Sequence, residues 1–181
     1  MCSIITHPVV PIAFSFFLPE TVVSPKLVLA GAICSIIPDL DVIGFQFGIR
    51  YGDMLGHRGF SHSIVFAVLQ AALLAFGLFR GSEGGQWEIL LYLFLSTLSH
   101  PMLDMLTNGG LGVALFAPFS NQRYFFPYTP IEVSPLGISN FISGRGIQVI
   151  LSELRWVWLP SAIVSLLGYL VVRRIGIYQM F

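Results

Sequence analysis

Four histidines and four aspartates hold most of the chemistry open to this 181-residue chain. They fall in short motifs: His7 near the start, "PDLD" at 38–41, "GHRGFSHS" at 56–63 and "SHPMLD" at 99–104, with Asp53 apart from the rest. His100 and Asp104 are four residues apart, so on a helix they project from one face about a turn from each other. A neutral imidazole and a carboxylate on one face are a common ligand pair for a divalent ion. Imidazole and carboxylate without thiolate suit zinc, with manganese or ferrous iron as alternatives. There are more than four candidate ligands, which leaves one ion or two open; paired ions would clamp both oxygens of an in-line displacement. Other chemistries lack their motifs. No H-E-x-x-H, G-x-S-x-G or phosphate-cradling glycine loop is present, and Cys2 and Cys34 lack metal-type spacing.

The elements that must position these groups are apolar. Charged residues make up 10% of the chain and hydrophobic residues 55%, with 16 phenylalanines and a mean hydropathy of +0.82. A soluble domain carries roughly 25% charged residues, so the solvent for this surface is lipid. Five apolar stretches, 4–18, 27–37, 64–79, 89–106 and 157–175, show no period-two alternation. The fold expected is therefore all-α: a polytopic bundle of about four to five transmembrane helices. It forms a single membrane-embedded domain over 1–181. Motif-bearing helices occupy 1–106, a structured loop rich in Pro, Gly and aromatics runs over 107–155, and a C-terminal transmembrane helix covers 156–175. The first residues lack a basic region and contain two prolines and a histidine, so they read as mature protein rather than a cleaved signal. Nine basic and nine acidic residues leave no net charge and no nucleic-acid footprint.

Alternating helix direction brings the motifs together. The start of the first stretch, the end of the second, the start of the third and the end of the fourth share one face. All four histidines and both "PDLD" carboxylates converge there, and ionisable groups in such runs are functional candidates by default. Asp39 or Asp41 could instead cap a following helix, and Asp53 reads as a solvated turn residue.

These motifs, with "SHPMLDMLTNGG" (99–110) and "FAPFSNQRYFFPYTPIEVSPLG" (116–137), resemble the YdjM-like family of LexA-regulated, membrane-bound, metal-dependent hydrolases. The order His, PDxD, His, HxxxD is also similar to that of bacterial zinc-dependent phospholipases C and of the glycosylphosphatidylinositol phospholipase D catalytic region. The resemblance implies His7, Asp39, His57, His100 and Asp104 as metal ligands, with Asp104 a candidate bridge. Those phospholipases carry further histidines and an HxxxE, whereas this chain has no histidine beyond His100.

The activity expected is metal-activated hydrolysis of a phosphoester in a membrane lipid or lipid-linked substrate at headgroup level, in a bacterial inner membrane. Asp41 would orient a ligand or act as general base, and His62 would be a further ligand or a proton donor. Arg58, with Arg123 and Arg145 behind it, would pair with phosphate. Lys26, Arg80, Arg173 and Arg174 lie opposite the site and orient it outward under the positive-inside rule. Two other readings use the same cluster: divalent-metal transport or sensing without hydrolysis, and a structural metal staple.

Overall fold

The computed structural model describes residues 1–82, 85–135, 141 and 145–178, with side chains to residue 172. Parts of the expected loop (136–140, 142–144) and the side chains of Arg173 and Arg174 lie outside the described residues. Among the described residues there is no strand, only isolated bridges pairing Thr107 with Ile131 and Val113 with Tyr124.

The helices are α1 (Val9–Ser15), α2 (Pro25–Cys34), α3 (Ile64–Leu73), α4 (Gln86–Met105), α5 (Arg145–Glu153) and α6 (Leu159–Tyr178). Tight 3-10 turns over Ile37–Phe47 follow α2, and wider π turns over Leu74–Leu78 and Leu154–Trp158 extend α3 and α5. Ser24 caps α2 by accepting from the Leu27 amide, ahead of Pro25 at the first helical position. Ser63 caps α3 by accepting from the Phe66 amide, so the end of the "GHRGFSHS" motif is itself the helix start.

Among the described residues, two segments are long and apolar enough to cross a membrane, Pro25–Phe47 (23 residues) and Arg145–Val172 (28 residues). The expected count of about four to five spans is thus matched at two by length and composition. The other helices explain the difference. The seven residues of α1 rise only about 10 Å, and Ile64–Leu78 is a shorter apolar helix. The 20 residues of α4 would reach about 30 Å, but Ser96, Thr97, Ser99, His100 and Asp104 interrupt its apolar character. The C-terminal helical run also begins at Arg145, inside the segment expected to be loop. Gly146, Val149 and Glu153 of α5 face inward, Ser152 is half-buried and the other residues between them face out, so this stretch has a helical period.

Close backbone approach holds the bundle. Ala67, Ala71 and Ala75 form a fully buried stripe on α3 and its extension, which lets α4 pack tightly against it. A side chain at Gly31 would collide with the Tyr92 ring, and the Tyr92 hydroxyl donates to the Pro11 carbonyl, tying α1, α2 and α4 together. Large side chains turn outward instead, such as Leu73 (74% exposed) and Leu29 (62% exposed).

Candidate metal centre

Each motif reaches the site from its own element. His7 precedes α1, Asp39 lies in the first turn of the 3-10 run that Pro38 opens, and His62 closes the 3-10 turn before α3. His100 and Asp104 lie on the last turns of α4. All five are buried, none more than 4% exposed.

Their ligand atoms meet. His100 Nε2 is 3.0 Å from His62 Nε2 and 3.4 Å from Asp39 Oδ1. His62 Nε2 is 3.7 Å from both Asp39 Oδ1 and Asp104 Oδ2. His7 Nε2 is 3.9 Å from Asp39 Oδ2 and 3.8 Å from Asp104 Oδ1, and its ring stacks on His100 at 3.7 Å. Bonds of about 2.0–2.1 Å to a tetrahedral zinc put neighbouring donors about 3.3 Å apart, so these spacings fit a shared divalent ion. Asp39, His62, His100 and Asp104 form the tightest set, with one ligand atom from each within 4.8 Å of the others.

Hydrogen bonds behind the cluster aim it. The Ser35 carbonyl can only accept, so His100 Nδ1 donates to it at 2.6 Å, and the Nε2 lone pair faces the centre. His62 Nδ1 lies 3.2 Å from Asp41 Oδ2 and 3.0 Å from Ser61 Oγ, which turns its Nε2 the same way. Two facing lone pairs at 3.0 Å need a proton or a cation between them. Burial would pull the His62 pKa down, but the carboxylates of Asp39 and Asp41 outweigh that and raise it to about 9. The field at this point favours positive charge. Both nitrogens of His7 and both oxygens of Asp39 are buried with no hydrogen-bond partner. Each such group costs roughly 1–3 kcal/mol unless something satisfies it, and a divalent ion would.

Asp41 and Asp39 play different parts. Asp41 Oδ1 accepts from His57 Nδ1 at 2.7 Å, while Oδ2 accepts from Ser61 Oγ at 2.7 Å and the Arg58 amide at 3.1 Å. His57 is therefore held by Asp41 with its ring edge-on to Tyr51, a step away from the tightest cluster. It belongs instead to a second group, Asp41, His57 and His62. Of the two expected candidates, His62 joins the tightest set, and both His57 and His62 belong to the second group with Asp41.

Arg58 does not face outward toward a phosphate. It is fully buried and donates from Nε to Asp104 Oδ2 (2.8 Å), from one terminal nitrogen to the Gly109 carbonyl (2.9 Å) and from the other to Thr107 Oγ1 (2.8 Å). Its backbone sits at φ 62°, between two tight glycines; a side chain at Gly59 would run into the Met54 carbonyl. Arg123 is also committed, donating to the carbonyls of His57, Tyr51 and Asp53. Arg145 is exposed at the start of α5. Asp53 is a turn residue, accepting from the Arg50 amide at 2.9 Å.

Comparison with known proteins places this arrangement. The model of the YdjM inner membrane protein family matches residues 1–179. The chain belongs to that family. A relative, "Inner membrane protein YbcI" of Escherichia coli (strain K12), is 43% identical over 174 residues, covering 96% of this chain and 99% of that protein. No solved structure matches. As a YdjM family member the chain is an inner membrane protein.

Several residues that support the site carry no role in the sequence motifs. Glu153 is 1% exposed and accepts from the Ser3 amide and hydroxyl and from Thr6 Oγ1. Trp158 Nε1 donates to the same Thr6 hydroxyl, so α5 and its extension clamp the segment that carries His7. The signal was a lone acid on the buried side of an amphipathic run. Thr107 lies within "SHPMLDMLTNGG" but has no assigned role there, and the Cys2 amide, which donates to Asp104 Oδ1 at 2.9 Å, has no motif to mark it.

Proposed function

We propose that this chain is a polytopic membrane metallohydrolase, acting on a phosphoester at the headgroup level of the bilayer. The observation that carries the metal reading is the convergence of His7 and Asp39, buried and without hydrogen-bond partners, on the inward-facing Nε2 atoms of His62 and His100. Asp39, His62, His100 and Asp104 would hold the ion, with His7 beside them as a further donor. Bound there, a divalent ion such as zinc lowers the pKa of a water toward ~7 and supplies a nucleophile at neutral pH.

The chain's own groups have separate tasks. Ser35 and Asp41 fix the imidazole tautomers. The Asp41–His57 pair, at 2.7 Å, is an oriented imidazole suited to moving a proton to or from the reacting oxygen. The phosphoester rests on the motif order shared with zinc-dependent phospholipases C. Alongside the two long apolar segments, α3 with its extension and α4 would bring the bundle to about four spans, with the site facing outward and Lys26 and Arg80 on the cytoplasmic side.

Two measurements test this. Purified protein carrying zinc, screened against phospholipids and soluble phosphoesters, should hydrolyse a member of the lipid set; no turnover on any ester at full metal content refutes the hydrolase. Cysteines placed at Ser24 and Ser120, in a Cys2→Ser, Cys34→Ser background, should label from opposite sides of the membrane. Labelling from one side refutes the topology. Burial of every ligand also suits an occluded transport site; that reading gains if proteoliposomes carry metal flux and no ester is cut.

A further inference from the structure

We infer that Arg58 limits this centre to a single divalent ion, its guanidinium standing where a second cation would otherwise balance Asp104. The inference rests on the metal reading above and concerns the number of ions, not the reaction. A carboxylate that bridges two ions, about 3.5–4 Å apart in such sites, must turn an oxygen to each. In this chain Asp104 Oδ2 accepts from Arg58 Nε at 2.8 Å and Oδ1 from the Cys2 amide at 2.9 Å. Arg58 cannot easily leave. It is fully buried, its other nitrogens are bonded to Gly109 and Thr107, and its guanidinium lies 6.0 Å from the Phe125 ring centroid.

Charge argues in the same direction. Asp39, Asp41 and Asp104 bring three negative charges to the site and Arg58 one positive charge, all but Asp41 fully buried or nearly so. Burial pushes the Met1 amine, 3.9 Å from Asp104 Oδ1, toward its neutral form, and the charge of Glu153 is met by Ser3 and Thr6 outside the cluster. With neutral histidines, one divalent ion closes this balance and a second leaves two positive charges in a dry setting, where uncompensated charge is costly. Asp39 has two free oxygens that could reach two ions. The guanidinium is what excludes the second.

The test uses the full chain in detergent with Mn2+ as the probe, reading ions per chain by equilibrium dialysis and spin coupling by electron paramagnetic resonance. Wild type should bind one Mn2+ with the hyperfine-split signal of an isolated ion. Arg58→Met, which keeps the stem and removes the charge, should bind two, with an exchange-coupled signal. Arg58→Lys should return to one, since it restores the charge. Two coupled ions in wild type, or a folded Arg58→Met that stays at one, overturn the inference and leave the metal site standing. No bound ion in wild type overturns both. If Arg58→Met fails to fold, the wild-type count and Arg58→Lys decide between the same outcomes.

Discussion

Two buried carboxylates of this protein sit in similar darkness and meet opposite company. Glu153 accepts from Ser3 and Thr6, and its network reaches Trp158 through the Thr6 hydroxyl. Asp39 is 4% exposed and neither of its oxygens has a hydrogen-bond partner, while three imidazoles surround it. A carboxylate closed by hydroxyl and amide donors is finished business for folding, because its lone pairs have been satisfied. A carboxylate left open among imidazole nitrogens asks for a cation. Burial alone therefore does not mark a functional acid; the chemistry of its neighbours does.

The largest expected effect breaks the open region. His100→Ala removes a donor that the Ser35 carbonyl has already aimed, so ion affinity should fall by more than the roughly 10–100-fold that loss of an outer partner costs. Elemental analysis after dialysis against a buffered zinc supply measures it. Unchanged metal content would mean that the cluster is not the site.

The closed region should fail differently. Glu153→Ala leaves the donors of Ser3 and Thr6 buried without an acceptor, a loss of roughly 3 kcal/mol or more. Unfolding in a denaturing detergent titration should shift accordingly while metal content at saturation is retained. If the ion is lost in step with Glu153, the two regions are one unit and the contrast drawn between them is false.

A subtler change separates holding an ion from using it. Asp41→Asn keeps size and part of the hydrogen bonding to His57 and Ser61, so saturating zinc should still load the site. Turnover on whichever ester the panel identifies should drop about 10²-fold. Full activity in this variant removes the Asp41–His57 pair from the reaction. Loss of ion and activity together makes Asp41 a ligand. The smallest effect belongs to Asp53→Ala, whose side chain is exposed and bonds only within its own turn. Stability should move by less than about 0.5 kcal/mol, with metal content unaltered; a larger shift would show that the Arg50–Asp53 turn supports the site.

Much of the site was legible in residue order. The i, i+4 spacing of His100 and Asp104 holds on α4, and His7, "PDLD" and "GHRGFSHS" lie next to the ends of α1, α2 and α3. What spacing could not divide was the labour between near neighbours. Asp39 and Asp41 are two residues apart on a 3-10 run of about three residues per turn, so their side chains point about 120° apart. One faces the imidazoles and the other faces His57. His57 lies in a turn and His62 closes a three-residue 3-10 turn, too short a stretch for spacing to assign them to different groups. Arg58 looked available for phosphate because an arginine in an apolar chain reads as a binding group, yet its left-handed backbone turns it inward onto Asp104.

The sequence by itself determined that the surface is apolar, that the elements are helical and that the imidazoles and carboxylates gather at one end, because hydropathy, period and chain direction are local or additive properties. Only the tertiary structure decided which carboxylate is open and which is satisfied, that the loop after α4 buries Arg58 against Thr107 and Gly109, and that Glu153 clamps the segment before His7. Those choices depend on contacts between residues distant in the chain, such as Arg58 with Thr107 (49 apart) and Ser3 with Glu153 (150 apart). A hydrogen bond closes only when both partners have been brought within about 3 Å, and the folded chain alone sets that distance.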